Sequence, residues 1–148
     1  MRHRKRTINK LGRTTAQREA LLAHLVCNLI LVGRIKTTLP KAKAARRMAD
    51  KMVTLGKKNT LASRRTAISR LRRKDVVRAL FDQVAPAFED RAGGYTRIMK
   101  LGQRVSDSSE MALLEWVNHT PRAPKVKKTE AKSEKGAASK GGKGSAAE

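Results

Sequence analysis

Apolar residues first recur at helical spacing between Leu21 and Ile30, where Leu21, Leu22, Leu25, Val26, Leu29 and Ile30 form one stripe. Thr14 and Gln17 stand before it at capping-box spacing and Gly33 follows as the expected stop, so the pattern predicts a helix that begins at Thr14. The stretch Arg34 to Leu39 (RIKTTL) is short and β-branched, which predicts a strand. Thr38 can cap a second helix with Pro40 in its first turn. That helix sets Ala42, Ala45, Ala49, Met52 and Val53 on one side and Lys41, Lys43, Arg46, Arg47 and Lys51 on the other, with Gly56 as its expected end. In the basic segment Leu61 to Arg73, Leu61, Ile68 and Leu71 can face inward while Arg64, Arg65, Arg70, Arg72 and Arg73 stay outside. Asp75 reads as the next N-cap, ahead of a helix packed by Val76, Val77, Leu80, Phe81 and Val84 and closed by Pro86.

The period then changes. Gly93-Gly94 opens a strand, Gly102 to Glu110 reads as a long polar hairpin loop, and Met111 to Val117 (MALLEWV) reads as the return strand. Alternation puts Tyr95, Arg97, Met99 and Leu101 on one face and Thr96, Ile98 and Lys100 on the other. Neither face is cleanly apolar, so a strand end or a bulge is expected to let Arg97 reach solvent. The order of helix, strand, three helices and β-hairpin predicts an α+β domain with helices on one face of a small sheet. Residues 1–13 carry Arg2, His3, Arg4, Lys5, Arg6, Lys10 and Arg13 with no acid, and are expected to be an extended arm that orders on a partner. Residues 14–119 make the domain. Residues 120–148, built from Lys, Ala, Gly, Ser and Pro, read as a disordered tail.

Charge sharpens this picture. The chain of 148 residues has 35 Lys and Arg against 12 Asp and Glu, a formal net charge of +23. The tail supplies eight of those cations and three acids, so most of the excess belongs to the domain and its arm. Such an excess strains a compact state by self-repulsion and attracts polyanions, because each neutralised phosphate releases counterions. A membrane surface would call for a basic amphipathic helix with aromatic anchors, and aromatics are 3% of the chain. The window Ala20 to Val32 is too short to span a bilayer. No apolar run follows MRHRKR directly, so a secretory signal is not expected and the chain should stay in the cytoplasm. The single cysteine, Cys27, excludes an intramolecular disulfide and reads as a small buried hydrophobe on a helix.

Catalytic chemistry finds little support. The nine acids between Glu19 and Glu115 fall at helix ends, in loops or beside cations, and no Ser, His and Asp set is recognisable. His3, His24 and His119 lack metal-ligand spacing, and no phosphate-binding or dinucleotide loop occurs. No cofactor, metal or small-molecule substrate is expected. Trp116, inside the return strand, reads as core. Tyr95, after two glycines and before Arg97, can be either core or a ring on which an unpaired base stacks. Arg dominates between Leu61 and Arg104, and guanidinium binds phosphate through two donors, which leans towards folded RNA.

MRHRK at the start, KTTLPKAK at Lys36 to Lys43, SRR at Ser63 to Arg65 and RAGGYTRIMKLG at Arg91 to Gly102 occur in order and at suitable spacing. Together they resemble the family of ribosomal protein seventeen of the bacterial large subunit, from Met1 to about Val117. The resemblance implies a two-layer α+β sandwich without catalytic activity. It also implies binding to large-subunit ribosomal RNA near the outer end of the nascent-peptide exit tunnel, beside other ribosomal proteins. On that reading the arm (Arg2, His3, Arg4, Lys5, Arg6, Lys10, Arg13) orders against RNA. Lys36, Thr37, Lys41, Lys43, Arg46 and Arg47 clamp the backbone around the strand-to-helix turn. Arg64, Arg65, Arg91, Tyr95, Arg97, Lys100 and Arg104 extend the footprint. The alternative is a DNA-compacting, nucleoid-type protein, for which the Lys/Ala/Gly tail is the main argument.

Overall fold

The computed structural model describes residues 10–118. Arg2, His3, Arg4, Lys5 and Arg6 of the arm, His119 and the tail lie outside the described residues. The end of the arm is not extended: Arg13 N donates to Lys10 O at 3.2 Å, closing a turn through Leu11 and Gly12, both at positive φ.

Helix α1 spans Thr15–Val32 and its N-cap is Thr14, whose hydroxyl accepts from Gln17 N. Gly33, at φ 85°, ends α1 in the left-handed conformation and donates its N–H to Leu29 O. Strand β1 (Arg34–Thr38) follows at once, and α2 (Leu39–Lys58) starts one residue earlier than the strand pattern implies, with Leu39 buried in its first turn. Thr38 occupies the N-cap position without a side-chain capping bond.

Ala42, Ala45, Ala49, Met52 and Val53 of α2 are fully buried, as their spacing predicts. Three alanines at successive turns let α2 lie close to its neighbours. Gly56 does not end this helix. It is buried inside the last turns, where a Cβ would stand 2.7 Å from Cβ of Ala85, and Asn59 takes the left-handed cap instead. The glycine is there for a close approach between segments, not for a stop.

Helix α3 (Leu61–Leu71) is capped by Thr60, whose hydroxyl accepts from Ser63 N. Its inward face is Ser63, Ala67 and Leu71; Leu61 is 65% exposed, contrary to the sequence reading. The inward row advances by four residues from Ser63, and Leu61 falls off it. Helix α4 (Lys74–Ala79) has Arg73, not Asp75, at its N-cap position. Asp75 sits in the first turn with its carboxylate on the Arg73 guanidinium. The helix widens into a π-helical turn over Leu80–Val84, and Pro86 opens a 3-10 turn ending at Phe88.

Strands β2 (Thr96–Gln103) and β3 (Glu110–Trp116) complete an antiparallel sheet in the order β1-β3-β2. The hairpin loop is thus shorter than predicted, because β2 continues through Gly102 beyond a bulge at Leu101. One face of the sheet carries Ile35, Ile98, Ala112, Leu114 and Trp116 and is packed by α1 and α2; α3 and α4 pack on those helices. The result is an α+β sandwich, the predicted class. Arg97 needs no bulge to reach solvent, since it stands on the outer, uncovered face of the sheet. Trp116 is core: its Nε1 donates to Leu29 O at 3.0 Å and its ring lies 5.9 Å from that of Phe88.

Gly56→Ala should force the Ala85 segment outward. Better helix propensity offsets only part of the overpacking, so we expect a net loss of about 1–2 kcal/mol in urea unfolding. Adding Ala85→Gly should recover most of it; an unchanged midpoint for the single variant would show that this contact is loose.

Candidate nucleic-acid interface

The first half of α2 presents Lys43, Arg46, Arg47 and Asp50 at positions i, i+3, i+4 and i+7, which the helix repeat aligns along one side. The buried alanines fix the rotation of α2, so this side must face away from the core. Strand β2 supplies the opposite wall. Lys43, Arg46, Arg47 and Asp50 face Ile98 and Lys100 across a groove of about 570 Å³, closed at one end by Leu39. Four of its seven lining side chains are cations, and Asp50 is the only acid among them. The structure thereby brings together four sequence-predicted residues, Lys43, Arg46, Arg47 and Lys100, that come from segments more than fifty positions apart.

Other predicted residues lie elsewhere. Lys36 is exposed on the outer sheet face, whereas alternation turns Thr37 to the helix side. Lys41 is half-buried on α2 and does not line the groove. Arg104 shares a second groove at the hairpin end with Lys36, Leu101, Val105 and Met111. Lys10 and Arg13 precede α1, and Arg65 and Arg91 are exposed. Arg64 is partly occupied: its guanidinium lies 4.5 Å from the centroid of the Phe81 ring and donates to Asn59 Oδ1 at 3.0 Å. That position is at the far end of α2, about 20 Å from Lys43 by helix rise.

The Tyr95 reading needs correction. Its ring is 3% exposed, packs edge-on to Phe88 at 5.4 Å and donates its hydroxyl to Ala92 O, so no face is open for a stacked base. Lys57 covers the ring with its ammonium 5.7 Å from the centroid while donating to Arg91 O at 2.7 Å. Sequence reasoning also left Arg34 out. It stands beside Lys36 on the outer face, and the period-two spacing Arg34, Lys36 in RIKTT could have found it.

Each face places one acid among its cations. On the outer face Arg97 donates through Nε and Nη2 to Glu115 Oε1, with Nε at 2.9 Å, and Arg34 is paired across from the same residue in register. In the hairpin Arg104 holds Asp107 with two bonds of 2.8 and 2.6 Å, and those bonds and the Ser109 hydroxyl keep the Asp107 carboxyl well below the usual carboxylate range. In the α2–β2 groove one acid faces four cations. Asp50 Oδ1 accepts the Thr96 hydroxyl at 3.1 Å, and its Oδ2 lies 3.9 Å from Arg46 Nε. Burial pushes the Asp50 carboxyl above its ordinary value, against the opposing pull of Thr96 and Arg46.

Among the described residues no group of three or more His, Cys, Asp or Glu could hold a metal ion, and no helix is long and apolar enough to cross a membrane. Cys27 is buried with its Sγ 3.7 Å from Leu71 O, and burial raises its thiol pKa.

A profile of the Ribosomal protein L17 family matches residues 21–117 of the chain. The large ribosomal subunit protein bL17 of Finegoldia magna is 48% identical over 128 residues, covering 86% of this chain and 98% of that protein. The protein of the same name from Methylacidiphilum infernorum is 53% identical over 116 residues, 78% of this chain and 88% of its own length. That from Thermodesulfovibrio yellowstonii is 47% identical over 132 residues, 89% and 98% of the two chains.

The raised carboxyl of Asp50 has a sign that can be measured. A folded state that holds this proton more tightly than the unfolded chain loses stability as pH rises through the carboxylate range. Asp50→Asn keeps an acceptor for Thr96 and removes the charge. We expect its unfolding midpoint to exceed the wild type's at neutral pH, and the difference to vanish below the ordinary carboxylate range. A constant difference at all pH values would contradict the burial cost.

Proposed function

The chain belongs to the ribosomal protein L17 family, and from that premise we propose that it binds large-subunit ribosomal RNA mainly through the α2–β2 groove. It is a structural constituent of the large ribosomal subunit, in the cytoplasm, and not an enzyme. The single observation that carries the RNA reading is the convergence of Lys43, Arg46, Arg47 and Lys100 on one groove with one acid among them. A phosphate entering the groove meets cations whose backbones are already fixed on a helix and a strand, so only their side-chain rotamers remain to be ordered.

The groove is about 10 Å long from Lys43 to Asp50 by helix rise, a length over which one strand of a duplex carries about three phosphates. Lys41, Lys36, Arg34 and Arg65 extend the positive field beyond it, and the arm residues Arg2, His3, Arg4, Lys5, Arg6, Lys10 and Arg13 add contacts of the same kind. Arg91 and Arg64 belong to the opposite end of α2, and Arg64 serves the fold at least as much as RNA. Arg97 and Arg104, each paired with an acid of its own chain, contribute less to phosphate affinity than their exposure implies. Phosphates and RNA shape, rather than base sequence, are what such a groove reads. We place the protein near the outer end of the nascent-peptide exit tunnel, beside other ribosomal proteins, on the strength of the family resemblance alone.

Replacing Lys43, Arg46 and Arg47 together by Ala should weaken binding to deproteinised large-subunit rRNA. The slope of log affinity against log salt should fall by about two to three units. The pair Arg97→Ala and Arg104→Ala should change that slope by less than one unit. Equal slopes for both variants would move the RNA face to the outer side of the sheet. Duplex DNA in excess should fail to displace the rRNA; ready displacement would favour a DNA-compacting role.

A further inference from the structure

Asp50 is out of place in a groove built only for phosphate. It lines that groove among four cations, with its side chain 30% exposed, and a carboxylate there repels the ligand the cations attract. Its bond to Thr96 does not require a charge, since the Thr96 hydroxyl is the donor and any neutral acceptor would serve. Its contact with Arg46 is too long for a hydrogen bond and joins two partly exposed side chains, a pairing that contributes little to the fold. Burial also makes the charge costly to keep. What a carboxylate offers here, and the cations cannot, is an acceptor at the inner end of a row of donors.

RNA presents a donor of the right kind beside every phosphate. The ribose 2′-hydroxyl lies on the same nucleotide as the phosphate, and it is the group by which a protein distinguishes RNA from DNA. We propose that Asp50 is a specificity-determining residue that accepts a hydrogen bond from a ribose 2′-hydroxyl while Lys43, Arg47 and Lys100 hold the adjoining phosphates. This rests on the groove being the RNA site. The Thr96 bond to Oδ1 fixes the carboxylate's rotation, and Oδ2, which has only Arg46 Nε at 3.9 Å and no hydrogen bond to it, is the oxygen for the ribose. DNA entering the same groove meets the repulsion of the carboxylate without the compensating bond, so the one residue both selects for ribose and selects against deoxyribose.

The test is a titration of the full chain against a labelled RNA hairpin, the DNA hairpin of the same sequence, and the RNA hairpin with methylated 2′-hydroxyls, all at one salt concentration. The double variant Asp50→Ala with Thr96→Val removes the carboxylate without leaving the Thr96 hydroxyl unpaired. Thr96→Val alone keeps the carboxylate and controls for the altered packing. We expect the RNA-to-DNA affinity ratio to fall roughly tenfold in the double variant, the worth of one hydrogen bond to a charged group, and to fall by less in the single one, which keeps the carboxylate but frees its rotation. The methylated RNA should bind the wild type like DNA. A ratio unchanged in the double variant overturns the inference, and an equal change on RNA and DNA would assign the carboxylate to a base edge or to bare repulsion instead. If alanine at Lys43, Arg46 and Arg47 also leaves RNA binding intact, the groove itself is wrong. If that variant binds weakly while the ratio stays fixed, only the role of Asp50 is wrong.

Discussion

Trp116 ties the last strand to the end of the first helix, and the rest of the architecture depends on that closure. Its backbone N–H donates to Gly33 O and its indole to Leu29 O, the carbonyl that also receives the Gly33 N–H. The left-handed turn at Gly33 is what exposes these carbonyls and sends the chain straight into β1. Without the end of β3 the carbonyl of Gly33 would lose its partner, and β1 would lack the central strand that carries its register; the indole adds the tie to Leu29. The contact joins positions 87 residues apart, so the sheet can close only after the C-terminal half has been made. Burying an indole here also excludes it as a stacking platform. The same is true of Tyr95, which joins Phe88 at the other side of the same cluster.

With the sheet closed, the two faces of the molecule diverge. The helices must cover the face carrying Leu114, Trp116 and Ile98, and α2 does so with alanine, which brings its backbone near β2. That nearness is why the polar side of α2 and the inner edge of β2 form one groove. The outer face receives no helix, and there Glu115 pairs with Arg97 of its own chain. Net charge alone would not distinguish the two faces. The meeting of a helix and a strand on one side does.

Much of the fold could be read from the chain because its strongest signals are local. The apolar stripe of α1, the alanine row of α2, Gly33 as a cap and the alternation of β2 from Thr96 to Lys100 all follow from period and backbone conformation, and the structure has them, although Tyr95 is buried and Leu101 bulges. The failures share a physical cause, which is that a tertiary contact decided what local chemistry left open. Gly56 looked like a helix end because glycine usually is one, but Ala85 from a distant segment needs the space. Leu61 is apolar and exposed because the inward row of α3 is set by α2 and α4. Asp75 has the chemistry of a cap, yet Arg73 outbids the helix for its carboxylate. At the site, composition pointed to a polyanion and spacing to one side of α2. That Lys100 stands opposite, and that Tyr95 is closed, required the sheet.

The basic row of α2 is sustained by packing rather than by its own preferences. Lys43 with Arg47, and Arg47 with Lys51, are like charges one turn apart, each costing a few tenths of a kcal/mol. Nothing in the first turn offers a negative charge to the helix dipole, and Thr38 gives no side-chain cap. What holds the helix is its opposite side: each fully buried Met or Val there contributes about 1.5–3 kcal/mol, far more than the repulsion removes. The repulsion is therefore carried in the free protein, and anions bound in the proposed groove would relieve it. Binding energy that relieves strain already present in the free molecule needs no new conformational change. The rigidity of the buried alanine face is thus the condition on which the charged face can work.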